Sequence, residues 1–411
     1  MRIANRHNVY TYCLISLCSF FIFSKLSTPL GGYFRLGFNI FELLLIPVVL
    51  LYHKTILQFI RSKLFTNSIC KCILTLSFLL FFFLYGCINA SEYIITHLIF
   101  FRVYFLIAVI VFFFSTTNHF DLFVLFLVCL ASQMGDFLYI ITYGRYEAQV
   151  LNNTVSFSIL ISLCIFCRYK LVTVLGLLFL LLLAFRSTYR VVIFIYFITV
   201  ITSFFISFLL KDKKNFFLMF LLFLLFIVFV IHFEVIIDFF IDFFDLTYES
   251  SQRITMRISS LLQGDLDKSN DNIRIVVVDI ISQNLSSVFP LGLYRPALGQ
   301  TGTYTDIPMI LLIDSFGSVA ALCVIFVIAL RYFSVAYSFI MHKPKSLIPA
   351  LVLSQFPCLV FLLYFNGTFI YWHYIAVFTS IILGLLFNPN IELIHSQRVN
   401  HFFIGDNHNP D

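Results

Sequence analysis

Predominantly apolar runs long enough to cross a bilayer recur along this chain, and no other property restricts its fold as much. NFFLMFLLFLLFIVFVI, from Asn215 to Ile231, is one of them. Hydrocarbon offers no water to satisfy backbone N–H and C=O groups, so a crossing segment must be a helix or part of a closed barrel. A helix needs about 20 predominantly apolar residues to cross. Runs of about that length lie at 10–27, 36–53, 69–88, 96–114, 122–140, 153–168, 171–185, 190–210, 215–235, 306–330, 347–365 and 370–387. The expected fold is therefore all-α and polytopic, with about twelve transmembrane helices. Composition agrees: 61% of the residues are hydrophobic and only 11% charged, against about 25% charged in soluble domains. No single water-soluble core would bury this much apolar surface. The first run lacks a small-residue cleavage site and reads as a span, not a signal peptide.

Most of the positive charge sits at the ends of these runs, where it sets orientation and does not call for nucleic acid. Arg2 and Arg6 precede the first run. Lys54, Arg61, Lys63 and Lys71 follow the second, and Arg168 and Lys170 the sixth. Lys211, Lys213 and Lys214 follow the eighth, and Arg331, Lys343 and Lys345 the tenth. With twelve spans these basic stretches fall on one side, which puts both termini in the cytoplasm. Four parts result: residues 1–235 with nine spans, a large loop at 236–305 on the opposite side, three spans within 306–387, and a cytoplasmic tail at 388–411. A loop as long as 236–305 in an otherwise tight chain is usually functional. It carries Arg253, Arg257, Lys268, Arg274 and Arg295 on the side that the orientation rule leaves poor in positive charge.

Several polar residues lie where polarity is costly. Arg186 and Arg190 flank a three-residue turn in LLLLAFRSTYRVVIFIYF, between the seventh and eighth spans. An Arg close to hydrocarbon is explained by snorkelling to headgroups or by an anionic partner. Arg102 and Asp136 lie within spans and are expected to pair, as buried charges usually must. Asp306 opens the tenth span directly after a loop with Gly299 and Gly302. Pro308 beside it makes a helix cap one reading and a partly desolvated base another. Glu234, Asp238, Asp242 and Asp245 form an acidic stripe on a helix, which is an interfacial face more readily than a metal site. Asp265-Leu266-Asp267 has the DxD spacing of sugar-nucleotide transferases but reads best as an exposed turn. Cys164 and Cys167 have redox spacing, yet they lie in an apolar span without a second pair, so packing is the simpler role.

Three stretches, taken in order, resemble the O-antigen polymerase and O-antigen ligase superfamily of bacterial inner-membrane glycosyltransferases. RSTYRVV looks like the family's Arg-bearing turn before a span, with Arg190 in the Arg place. NDNIRIVVVDIISQNLSSVFPLGLY looks like its Arg followed by an apolar stretch and a Pro-x-Gly turn, with Arg274 and Gly292 in those places. TDIPMILLIDSFGSV looks like its acid-or-His followed eleven residues later by Gly, with Asp306 and Gly317. Tyr294 stands where a second Gly is common, and Ile307 where Asn is common. Ligases usually carry His at the place of Asp306, which favours a polymerase.

The resemblance implies a GT-C-like membrane architecture with a large periplasmic loop. It implies a substrate, an oligosaccharide repeat unit on undecaprenyl diphosphate, and a chain-length regulator protein as a further partner. A diphosphate at a membrane edge is best met by Arg, whose planar fork binds phosphate oxygens in pairs. Arg190 and Arg274 are the first candidates, with Arg295 and Arg186 beside them, and Asp306 is the candidate base. Arginines that neutralise the leaving diphosphate leave no need for a metal or another cofactor. Rival readings are a ligase acting on lipid A-core, a flippase for the same lipid-linked unit, and a structural membrane subunit.

Overall fold

A computed structural model describes residues 2–24, 26, 43, 46, 50, 75–85, 87–88, 94–117, 120–143, 154–186, 190–210, 312–313, 316–342, 346–365, 373–392 and 402–403. The described residues are almost entirely helical. The helices are α1 (Arg2–Ile22), α2 (Thr75–Tyr85), α3 (Ile94–Thr116), α4 (Leu122–Tyr143), α5 (Thr154–Ile165), α6 (Lys170–Arg186), α7 (Arg190–Leu209), α8 (Ser318–His342), α9 (Ile348–Phe365) and α10 (His373–Leu386). Three stretches among them are long and apolar enough to cross a membrane: Leu122–Thr142 in α4, Val192–Leu209 in α7 and Ser318–Met341 in α8. Large apolar side chains point outward, among them Leu171, Phe326, Phe333 and Tyr337, while serines and glutamines fill the interior. In water such faces would form apolar patches of a size that soluble monomers avoid. In lipid they are solvated. The chain has the character of a membrane protein.

Helix α5 is the hub. It packs against α4, α6, α7, α9 and α10, and all of its residues are buried. It is 12 residues long, about 18 Å at 1.5 Å per residue, against about 30 Å of hydrocarbon. Within the sixth apolar run, expected as a full span, the described helix is short and wholly buried. Composition alone does not distinguish the two, because a helix buried among other helices is apolar all round just as a spanning helix is.

Close crossings use small residues. A Cβ on Gly384 of α10 would come within 2.6 Å of the Phe114 Cβ and 2.9 Å of the Val111 carbonyl on α3. A Cβ on Gly135 of α4 would meet Ser24 at 2.5 Å, just beyond the end of α1. Between helices already surrounded by lipid, packing and hydrogen bonds replace the hydrophobic effect as the source of association, and close backbone approach makes both possible. On α8, Tyr332 stacks on Phe356 of α9, with centroids 3.8 Å apart.

One end of the bundle is knitted together by polar contacts. Asp121 caps α4, its carboxylate accepting from the N–H groups of Phe123 (2.9 Å) and Val124 (3.2 Å). Partial burial pushes this carboxyl above its ordinary range, and the two N–H bonds oppose that shift. The Asn388 amide, beyond the end of α10, donates to the carbonyls of Phe114 (3.1 Å) and Thr117 (2.7 Å) at the end of α3. Arg331 donates to the carbonyls of Leu386 (2.9 Å) and Asn388 (2.7 Å), which satisfies acceptors orphaned at the end of α10. Ser338 is hydrogen-bonded to Glu392. The Arg168 N–H donates to the Phe402 carbonyl at 2.8 Å, so Phe402 joins the same end.

Arg331 is a correction to the sequence reading. It was expected to follow the tenth span, set at 306–330. The helix in this stretch runs instead from Ser318 to His342, with Arg331 inside it. The shift traces to Gly317, whose φ of 85° lies in the left-handed region that glycine occupies without strain. Gly317 donates to the Ile313 carbonyl (2.8 Å) and accepts from the Ala321 N–H (3.1 Å). It therefore closes one helical stretch and opens the next.

Candidate functional site

Helix direction fixes where the candidate arginines stand. Helix α6 starts at Lys170, next to the Cys167–Tyr169 turn at the knitted end, and its last residue is Arg186. At 17 residues it rises about 24 Å. Helix α7 starts at Arg190 and returns. The two pack side by side, and the Tyr196 hydroxyl donates to the Leu177 carbonyl at 3.2 Å. Arg186 and Arg190 thus mark adjacent helix ends, at the end of the bundle away from Arg168, Lys170 and Arg331. Asp306, Arg274 and Arg295 lie outside the described residues, as do the acidic stripe and the DxD.

Further polar groups stand at intermediate depth. Arg102 is 14 residues before the end of α3, and Asp136 is 14 residues into α4 from the same end of the bundle. Both are about 21 Å from that end, but α3 packs chiefly on α10 and α4 chiefly on α1. Asp136 is buried and Arg102 half-buried. The helix break at Gly317 is near this level too. Arg331, 14 residues along the chain from Gly317, is at the knitted end, so the break is about 21 Å away. Phe316 beside it packs on Tyr104 of α3, with centroids 4.7 Å apart, and on Phe82 of α2 at 5.3 Å. The Ser318 hydroxyl, on the other side of the break, is buried without a hydrogen-bond partner among the described residues.

A buried polar seam runs beneath this level. Ser158 donates to Gln355 Oε1 at 2.5 Å, and Gln355 Nε2 donates to the Ser162 hydroxyl at 2.6 Å. Ser162 also meets Ser203 at 2.7 Å and Ser354 at 3.0 Å. The Thr202 hydroxyl donates to the Ser354 carbonyl at 3.1 Å. Helices α5, α7 and α9 are joined in this way. A second link ties α4 to α5, where Gln133 Nε2 donates to Ser156 at 2.7 Å. Such interhelical bonds contribute on average about 0.6 kcal/mol each in membrane bundles, and several together fix the register of α5. Sequence reasoning missed the seam. The available signal was Gln133 and Gln355, each an uncharged amide inside an otherwise apolar run.

The Cys164–Cys167 pair agrees with a packing role. Both thiols are free and buried, and Gly176 lies so close that a Cβ there would come within 2.6 Å of the Cys164 sulfur. No family model matches the sequence, and neither a curated protein nor a solved structure matches it.

Proposed function

We propose that the chain is a metal-independent glycosyltransferase of the O-antigen polymerase type, acting on undecaprenyl-diphosphate-linked repeat units at the periplasmic face of the bacterial inner membrane. The observation that supports this most is the pair of helix ends at Arg186 and Arg190, at the end of the bundle away from Arg168, Lys170 and Arg331. Basic residues mark cytoplasmic ends, so arginines at the other end require a different reason to be there. A lipid-borne diphosphate supplies one. Its oxygens lie at headgroup depth, and its polyprenyl tail runs between spans.

In the proposed reaction a sugar hydroxyl of one lipid-linked unit attacks the anomeric carbon of the chain held on the other lipid. A glycosidic C–O bond forms, the C–O bond to the diphosphate breaks, and undecaprenyl diphosphate leaves with the electron pair. The hydroxyl proton passes to the Asp306 carboxylate. Arg190 and Arg274, with Arg295 and Arg186 in support, bind the diphosphate and stabilise the charge it gains in the transition state, which is where differential binding accelerates a reaction.

The flippase reading has one observation in its favour. Broken helices are a feature of transporter sites, and the chain has a break at Gly317. The lipopolysaccharide of a strain lacking the gene separates the readings. A core bearing a single repeat unit in place of the ladder is the result expected of a lost polymerase. A bare core would point to a flippase or a ligase and reject the proposal.

A further inference from the structure

The sequence after Glu392 is polar, LIHSQRVNHFFIGDNHNPD, apart from short apolar patches that include Phe402 and Phe403. Chain termini are poorly ordered unless something ties them down. Here the tie is specific. Phe403 forms an antiparallel bridge with Cys167, the residue that ends the α5 region. The Phe402 carbonyl accepts from the Arg168 N–H at 2.8 Å and from the Cys167 thiol at 3.4 Å. The Phe402 ring stands 5.4 Å from Phe123, 5.4 Å from Phe126 and 5.7 Å from Tyr169. Phe403 is 2% exposed. Tyr12 of α1 also packs on Phe123, at 5.7 Å.

We infer that Phe402 and Phe403 act as an intramolecular strap, closing the knitted end of the bundle by docking on the α5–α6 turn and the start of α4. The backbone pairing resembles addition of a strand, in which main-chain bonds hold an extended segment and side-chain niches select it. Phe123, Phe126 and Tyr169 form the niche. Because α5 is the helix against which five others pack, fixing its end fixes the base of the polar seam. The strap stands on these contacts alone and does not depend on the proposed enzyme activity.

A crosslink tests it in the full-length protein. Directly opposed residues in an antiparallel pair have Cα atoms about 4.5–5.5 Å apart, within the range a disulfide accepts. F403C is placed in the wild-type background, with a protease site inserted between α7 and α8. Membranes are oxidised with copper phenanthroline in air and then cut. The expected result is two fragments that stay joined without reductant, separate with it, and fail to join when C167S is added. F123C with F402C provides a second pair should F403C not accumulate, and the same joining is expected of it. Fragments that never join in either variant overturn the inference. So does a disulfide-linked dimer of uncut chains, which would mean that the segment docks on a second copy.

Discussion

Arg190→Ala should abolish chain extension, leaving oligosaccharide stalled at one repeat unit, while the protein accumulates in the membrane at its normal level. Loss of one preorganised group that stabilises transition-state charge typically lowers the rate about 10²–10³-fold, enough to erase a ladder on a gel. The fold predicts that the substitution is structurally mild. Arg190 is the first residue of α7, where the helix dipole disfavours a cation by about 0.3–1 kcal/mol. Alanine removes that penalty. Arg190 therefore stands against the local electrostatics of its own helix, which a functional anion explains and helix stability does not. Arg186, in the last turn of α6, is on the favourable side of its dipole, and Arg186→Ala should have the milder effect on chain length. Arg190→Lys should restore little, because an ammonium does not reproduce the paired contacts of a guanidinium. Arg274→Ala is expected to match Arg190→Ala. Long chains in both alanine variants would show that these arginines only reach for headgroups.

Asp306→Asn is the second substitution with a large expected effect, and it is more informative than Asp306→Ala. Asp306 precedes Pro308, the pattern of a helix N-terminus. Its removal to alanine would weaken a cap by about 0.5–2 kcal/mol, so that variant is impaired under either account. Asparagine caps about as well as aspartate but accepts no proton as a base. A protein made at normal levels that stalls at one repeat unit is the result expected of a base. Normal chains from Asp306→Asn would make it a cap. The helix dipole at such a position favours the ionised carboxylate and opposes the rise in pKa that partial desolvation brings. A working base therefore requires desolvation to prevail, and activity should fall as the pH drops through the carboxyl pKa.

How far the sequence was legible follows from what each signal measures. Length and apolarity identify helices that meet lipid, and α4, α7 and α8 contain stretches that pass that test. They do not report backbone breaks. The run 306–330 was read as one span because it is mostly apolar despite Asp314, Ser315 and Ser318, whereas a φ of 85° at Gly317 divides it. Arg331 was read as a loop marker because a cation normally ends a span. In the fold it donates to two carbonyls at the end of α10, a partner 55 residues away in sequence that no local pattern reveals. Phe402 and Phe403 were invisible for a similar reason: among the chain's 55 phenylalanines, two in a tail carry no signal until their partners on α4 are known. Gln133 and Gln355 could have been found, since an amide in an apolar run demands a bonding partner. The arginine turn was legible because a charge near hydrocarbon is costly wherever the chain goes.

All of this chemistry requires that the two ends of the bundle face opposite compartments, with the arginine-bearing end outside. Paired reporter fusions measure that directly, one at Ser269 in the large loop and one after Asp411, using alkaline phosphatase for the periplasm and a fluorescent protein for the cytoplasm. The account predicts phosphatase activity at Ser269 and fluorescence after Asp411, on the same side as Arg168 and the Phe402–Phe403 strap. A cytoplasmic signal at Ser269 would contradict it and remove the mechanism with it.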